Sequence, residues 1–211
     1  MLNPVSPARV LLVEGQDDKH VVRHLCIRTG LQQDFCIKEK ANDVELLKSI
    51  RAEGKASGRT VLGIVLDADD DPDARWHAVT TRLRTLGQDG YINPSDVPTK
   101  PVPSGTIIEG KIRIGVWLMP DNSSRGELEN FIEKMIPSSD PVWPQSQKYV
   151  DDIRETHRAF KPKKTLRAKV HAWLATREDP RRMGLAIKAR DLDTTEPNST
   201  TFVDWLRTLF Q

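Results

Sequence analysis

Cysteine is nearly absent from this chain of 211 residues: Cys26 and Cys36 are the whole complement, and they form no close pair. That scarcity excludes a disulfide framework and a cysteine-based zinc site, and it suits a reducing cytoplasm. The five histidines show no zinc-type spacing and no nucleophile partner. Long apolar runs are missing too. No stretch reaches the ~18 uninterrupted apolar residues of a membrane span, and Met1 to Pro7 carries neither a basic region nor a long apolar one, so a cytoplasmic protein without membrane association is expected. There is no internal repeat, which sets solenoids aside. An excess of one charge is also lacking. With 32 basic and 30 acidic residues the formal charge is +2, so the overall field neither demands nor forbids a nucleic-acid partner.

Hydrophobic residues at 37% are enough for a packed core, so the chain is expected to fold alone. Val10 to Val13 is a short continuous apolar run, as in a parallel strand buried on both faces, and it stops at Glu14-Gly15. From Asp17 or Asp18 the pattern turns helical through Val21, Val22, Leu25 and Cys26. Phe35 to Lys40 predicts a second strand, and Asn42 caps a helix through Val44, Leu47 and Ile50. Val61 to Leu66 is the most apolar strand, leading into Asp67-Ala68-Asp69-Asp70-Asp71 and a helix opened by Pro72. Four prolines between Asn93 and Gly105 predict a surface loop. Thr106 to Ile108 and Lys111 to Met119 predict two strands, the second being the fourth core strand. A helix follows over Gly126 to Ile136. Beyond Pro144 the pattern is mainly helical, at Ser146 to Phe160, Thr165 to Ala175 and Ser199 to Phe210. The expected architecture is α/β, with a mostly parallel four-stranded sheet in residues 1–140 and a helical extension in 141–211 packed on it.

Residues just past the carboxyl ends of parallel strands share one rim of the sheet, and ligands bind there. Glu14 follows the first strand, Asp67 ends the third, and Asp69 can return to the same crevice from the turn. Carboxylates ~4 Å apart repel by about 4 kcal/mol per pair at an effective dielectric near 20, so such a cluster calls for a cation. Oxygen donors without His or Cys select Mg²⁺, Mn²⁺ or Ca²⁺, and phosphoryl chemistry is the usual destination. The plainer readings are a solvated strand-end Glu14 and an acidic loop that caps the Trp76 helix.

These segments carry a family resemblance. Leu12-Val13-Glu14-Gly15-Gln16-Asp17-Asp18 resembles the first Toprim motif, and Leu66-Asp67-Ala68-Asp69 its later Asp-x-Asp motif. Met119-Pro120-Asp121-Asn122, Gly126-Glu127-Leu128-Glu129 and Lys169 to Ala175 extend the resemblance to Toprim-like proteins related to the OLD nucleases. The resemblance implies a Toprim-like (Rossmann-like) core and metal-dependent phosphodiester chemistry with Mg (or Mn). Glu14 would be ligand or general acid/base, and Asp67 and Asp69 metal ligands. Glu127 or Glu129 would add a second metal ligand, and Lys164 or Lys169 would stabilise a phosphate in the transition state. Acids at a helix start are equally favoured by the helix dipole, so Glu127 and Glu129 have a structural reading of the same weight.

The densest positive stretch, Lys161 to Lys164 with Arg167, could track a phosphate backbone of DNA or RNA through Lys163, Lys164 and Arg167. It could as well be a solvated face. OLD-type nucleases work with an ATPase domain, yet no Gly-x-x-x-x-Gly-Lys-Ser/Thr segment is present, so a separate ATPase subunit is implied. The two readings are therefore a nuclease-like enzyme and a non-catalytic metal- or nucleotide-binding partner or sensor. A topoisomerase fits poorly, with only Tyr91 and Tyr149 as nucleophiles. His20 lies close to the Glu14 turn in sequence, without other support for a role there.

Overall fold

The computed structural model describes residues 7–211, so the reading of Met1 to Pro7 lies, Pro7 apart, outside the described residues. The order is β1 (Arg9–Val13), α1 (Gln16–Thr29), β2 (Cys36–Glu39), α2 (Asp43–Gly54), β3 (Val61–Asp67), α3 (Pro72–Gln88), β4 (Thr106–Ile108) and β5 (Arg113–Met119). Then come α4 (Leu128–Met135), α5 (Trp143–Asp152), α6 (Thr165–Ala175), α7 (Met183–Ala189) and α8 (Pro197–Phe210).

The strands form one sheet in the order β2-β1-β3-β5-β4. β2, β1, β3 and β5 are parallel, and β4 runs antiparallel to β5 at the edge. The class is α/β with a mostly parallel sheet. Five strands are present rather than four because the short Thr106–Ile108 segment pairs back on β5, with Thr106 opposite Val116 and Ile108 opposite Ile114.

Alternation along the strands divides the core into two layers, as period-two geometry requires. Leu11, Val13, Val65, Trp117 and Met119 face α1, α4, α6, α7 and α8. Val10, Leu12, Leu62, Ile64, Val116 and Leu118 face α2 and α3. The chain thus moves outward from β1 to β2 by way of α1, then returns past β1 to β3 by way of α2 on the other face. That reversal opens a crevice beyond the carboxyl ends of β1 and β3.

The last helix seats on the sheet through a glycine pair. Gly63 and Gly115 are register partners. A Cβ on Gly63 would lie 2.5 Å from Leu11 and 3.0 Å from Leu209, and one on Gly115 would lie 2.4 Å from Leu209, so α8 reaches the strands only because both side chains are missing. Trp205 donates its indole N–H to the Thr106 carbonyl at 3.2 Å and packs with Trp117 and Phe202. Trp173 and Trp205 are buried and Trp143 is half-buried against Trp173, which makes all three packing residues.

Two helix expectations need correction. The helix expected over Ser146 to Phe160 is α5, which begins earlier and ends at Asp152. The Asp140 carboxylate accepts the N–H groups of Val142 and Trp143 at 2.8 Å and fixes the early start. The Arg158 guanidinium takes the carbonyls of Asp151 and Ile153 at 3.1 and 2.9 Å, satisfying carbonyls freed at the helix end. Helix α7 was not expected. It is short, follows Pro180, and buries Met183, Ala186 and Ile187 against α1. Among the described residues no helix is long and apolar enough to cross a membrane.

Candidate functional site

β1 ends by presenting Glu14, and β3 ends in Asp67. The two meet directly: the amide N–H of Asp67 donates to Glu14 Oε1 at 2.7 Å. Asp18 joins them from the first turn of α1. Its Oδ2 accepts the Gly15 N–H at 3.1 Å in the manner of an ordinary helix cap, yet the residue is only 8% exposed. The Oδ1 atoms of both Asp18 and Asp67 are buried with no protein hydrogen-bond partner.

The loop before α4 completes the rim. Asp69 and Gly126 exchange both backbone hydrogen bonds, at 2.9 and 2.8 Å, and this bridge brings Glu127 and Glu129 alongside Asp67. Glu129 is 4% exposed and pairs with Arg167 at 3.2 Å; Glu127 pairs with Lys164. Glu14, Asp18 and Asp67 have no ion-pair partner among the described residues.

Electrostatics follow from that asymmetry. Burial pushes the Glu14 carboxyl up to about 7, with the Asp67 N–H opposing and the Asp18 charge adding to the rise. Burial likewise pushes Asp18 up to about 6, opposed by backbone N–H groups and reinforced by Glu129. Asp67 is raised well above the usual range by burial first, then by Glu14, Asp18, Glu129 and Glu127. Five carboxylates therefore sense one another; Lys164 and Arg167 pair with two of them, and the Arg75 charge opposes the rise at Glu14.

Several sequence expectations land elsewhere. Among the described residues Asp69, unlike Glu14 and Asp67, has an ion-pair partner. Its backbone is left-handed, with φ 53°, and its carboxylate pairs with Arg75, which also holds Asp43 at 2.6 Å. Lys169 bonds Asp151 at 2.8 Å, so its ammonium is engaged by α5. Lys163 is exposed, whereas Lys164 and Arg167 sit on the acidic rim through their carboxylate partners. His20 lines a separate pocket between α1 and α7. The residue that sequence reasoning set aside is Asp18: at the third position of a helix it reads as a cap, and only tertiary burial reveals more. The fivefold rim is not a preformed cage, since among the described residues no group of three or more His, Cys, Asp or Glu side chains is arranged to hold a metal ion.

Fold and site together define an α/β protein with a buried, under-neutralised carboxylate crevice at the switch point of a mostly parallel sheet. The chain belongs to the family described as "Protein of unknown function (DUF3226)", matching it over residues 8–211. Comparison with curated proteins and with solved structures gave no match.

Proposed function

We propose that this is a Toprim-like protein, related to the OLD nucleases, that performs divalent-metal-dependent phosphodiester chemistry on nucleic acid at the Glu14–Asp18–Asp67 rim. The observation that carries the reading is the pair of buried carboxylate oxygens, Asp18 Oδ1 and Asp67 Oδ1, left without a partner beside a raised Glu14. Buried acids without countercharge are costly and accumulate where function needs them. The donor set is all hard oxygen, which fits Mg²⁺ or Mn²⁺. Asp67, Asp18 and Glu14 would hold the ion, with Glu127 and Glu129 flanking. Bound there, the cation would polarise a phosphate ester and acidify water.

The chain's own groups divide the remaining work. Where Glu14 does not ligate the ion, it can instead give or take a proton at the reacting oxygen. Lys164, drawn to the rim by Glu127, is the ammonium placed to meet a phosphate, and Arg167 stands beside it.

The test incubates the protein with single-stranded and duplex DNA and RNA in Mg²⁺ or Mn²⁺. Cleavage by wild type and a loss of about 10²-fold or more in Glu14→Gln, Asp18→Asn and Asp67→Asn are expected. Variants that cleave like wild type would remove the site from the mechanism.

A second reading is a non-catalytic metal- or nucleotide-binding partner or sensor, working with a separate ATPase subunit. It is favoured by the pairing of Glu127 and Glu129 with cations, and among the described residues there is no preformed three-ligand cage. Calorimetric Mn²⁺ binding without turnover on any nucleic acid would select it, and co-purification would reveal the ATPase.

A further inference from the structure

On the outer side of α1, His20, Arg23, His24 and Ile27 recur at three- and four-residue spacing and form a single stripe. α7 answers with Leu185 and Lys188, and Arg182 immediately precedes it. The two helices touch closely: a Cβ on Gly184 would lie 2.8 Å from the His20 carbonyl carbon. Beside that contact the two stripes line a cavity of about 540 Å³, within the size range of small-molecule sites.

Its lining has an uncommon composition. Arg23, Arg182 and Lys188 converge there, and among the described residues no carboxylate lines the cavity. Two neighbouring cations do find acids: Lys19 pairs with Glu39 at 3.3 Å, and Arg181 with Asp191 at 3.5 Å. Among the described residues Arg23, Arg182 and Lys188 have no such partner. Converging like charges oppose the helix contact unless an anion joins them. The floor is apolar and flat. Ile27 is 64% exposed and Leu185 44%, and the His20 and His24 rings lie nearly parallel with centroids 6.5 Å apart. A merely solvated basic face would need neither the cavity nor the exposed apolar floor.

We propose that the α1–α7 cavity binds a nucleotide, its phosphate held by Arg23, Arg182 and Lys188 and its base laid on the His20, His24, Ile27 and Leu185 surface. Arginine forks suit phosphate oxygens, and flat side chains accept any base face. The nucleotide can be free or a unit of a single strand. This site stands on its own residues and requires no reaction at the acidic rim.

The experiment follows fluorescence anisotropy of a labelled short single-stranded DNA in EDTA at low salt, with a nucleoside monophosphate, the nucleoside and inorganic phosphate as competitors. The labelled strand should bind. Displacement by the monophosphate identifies a free-nucleotide site, whereas binding that only the polymer competes for identifies the strand as the source of the phosphate. In either case the Arg23→Gln/Arg182→Gln double variant and Lys188→Glu should each weaken binding by about tenfold or more. Lys48→Gln, a charge removed from distant α2, should bind as wild type. Arg23, Arg182, Lys188 and Lys48 are exposed, and matching circular dichroism and melting profiles check that the variants fold. Binding here is read in EDTA, where no metal-dependent cleavage occurs, so failure of the cleavage proposal and failure of this one are read separately. Failure of the labelled strand to bind, wild-type binding by the double variant, or equal displacement by the nucleoside would each overturn the proposal.

Discussion

Two buried carboxylate sites make an instructive pair. Glu53 of α2 is enclosed by Lys38, Lys40 and the buried Arg59, at 2.9, 2.7 and 3.0 Å. Burial pushes its pKa up, yet those cations outweigh burial and hold it below the usual range. At the carboxyl ends of β1 and β3, Glu14, Asp18 and Asp67 are also buried, without an ion-pair partner among the described residues; the Arg75 charge opposes the rise at Glu14 without cancelling it, and all three are pushed up. Burial is common to both sites; a paired countercharge is not. The Glu53 site is a clasp that fastens α2 to β2 and to the turn before β3, while the rim is a charge deficit that the protein does not fill from its own side chains.

The comparison can be broken first at the clasp. Glu53→Gln should cost roughly 3–5 kcal/mol in denaturant unfolding, because it leaves cations gathered around a neutral group. A loss below about 1 kcal/mol would mean that the clasp is solvated and the contrast unreal. The same change at the rim should have the opposite sign. Glu14→Gln in EDTA at pH 8 should raise stability by about 1–3 kcal/mol, since it removes a charge that burial and Asp18 disfavour. Equal destabilisation by the two substitutions would contradict the distinction.

A smaller effect is the pH dependence. Glu14 moves from its ordinary 4.5 to about 7 in the folded state, and Asp18 from 3.8 to about 6. The folded chain therefore holds protons that the unfolded chain releases. Their contribution to stability is complete below the unfolded pKa values and declines as pH rises through the window from about 4 to about 7. In EDTA the melting temperature should fall by several degrees across that window, about 2–4 °C per kcal/mol for a chain of this size. Excess Mn²⁺ should flatten the decline by stabilising the ionised rim. A melting temperature that rises with pH in EDTA would show that the Glu53-type carboxylates dominate.

The parts of this arrangement that were legible in sequence are those with local causes. Val10–Val13 and Val61–Leu66 announce buried parallel strands, and parallel strands ending on one side bring Glu14 to Asp67. The ion pair of Asp69 was missed because spacing fixes only its distance along the chain; the left-handed backbone that turns it to Arg75 depends on the bridge to Gly126. Asp18 was passed over because a cap and a buried acid share one local pattern, and the difference lies in α4 arriving from more than a hundred residues away. Lys164 and Lys169 are indistinguishable in a basic run. Which faces Glu127 and which faces Asp151 is set by the helical turn between them and by where α5 lies. α7 and its cavity were invisible because a seven-residue helix after a proline carries too little periodicity, and its fit to α1 rests on Gly184.

The central claim is that the rim lacks a positive charge which a divalent cation supplies. It is tested most directly by carbon-13 NMR titration of the Glu14, Asp18 and Asp67 carboxyls, in EDTA and again in Mg²⁺. The account predicts a Glu14 midpoint at about 7 without metal and a displacement of all three carboxyls to lower pH when Mg²⁺ is present. Ordinary carboxylate midpoints in EDTA, unmoved by Mg²⁺, would contradict it.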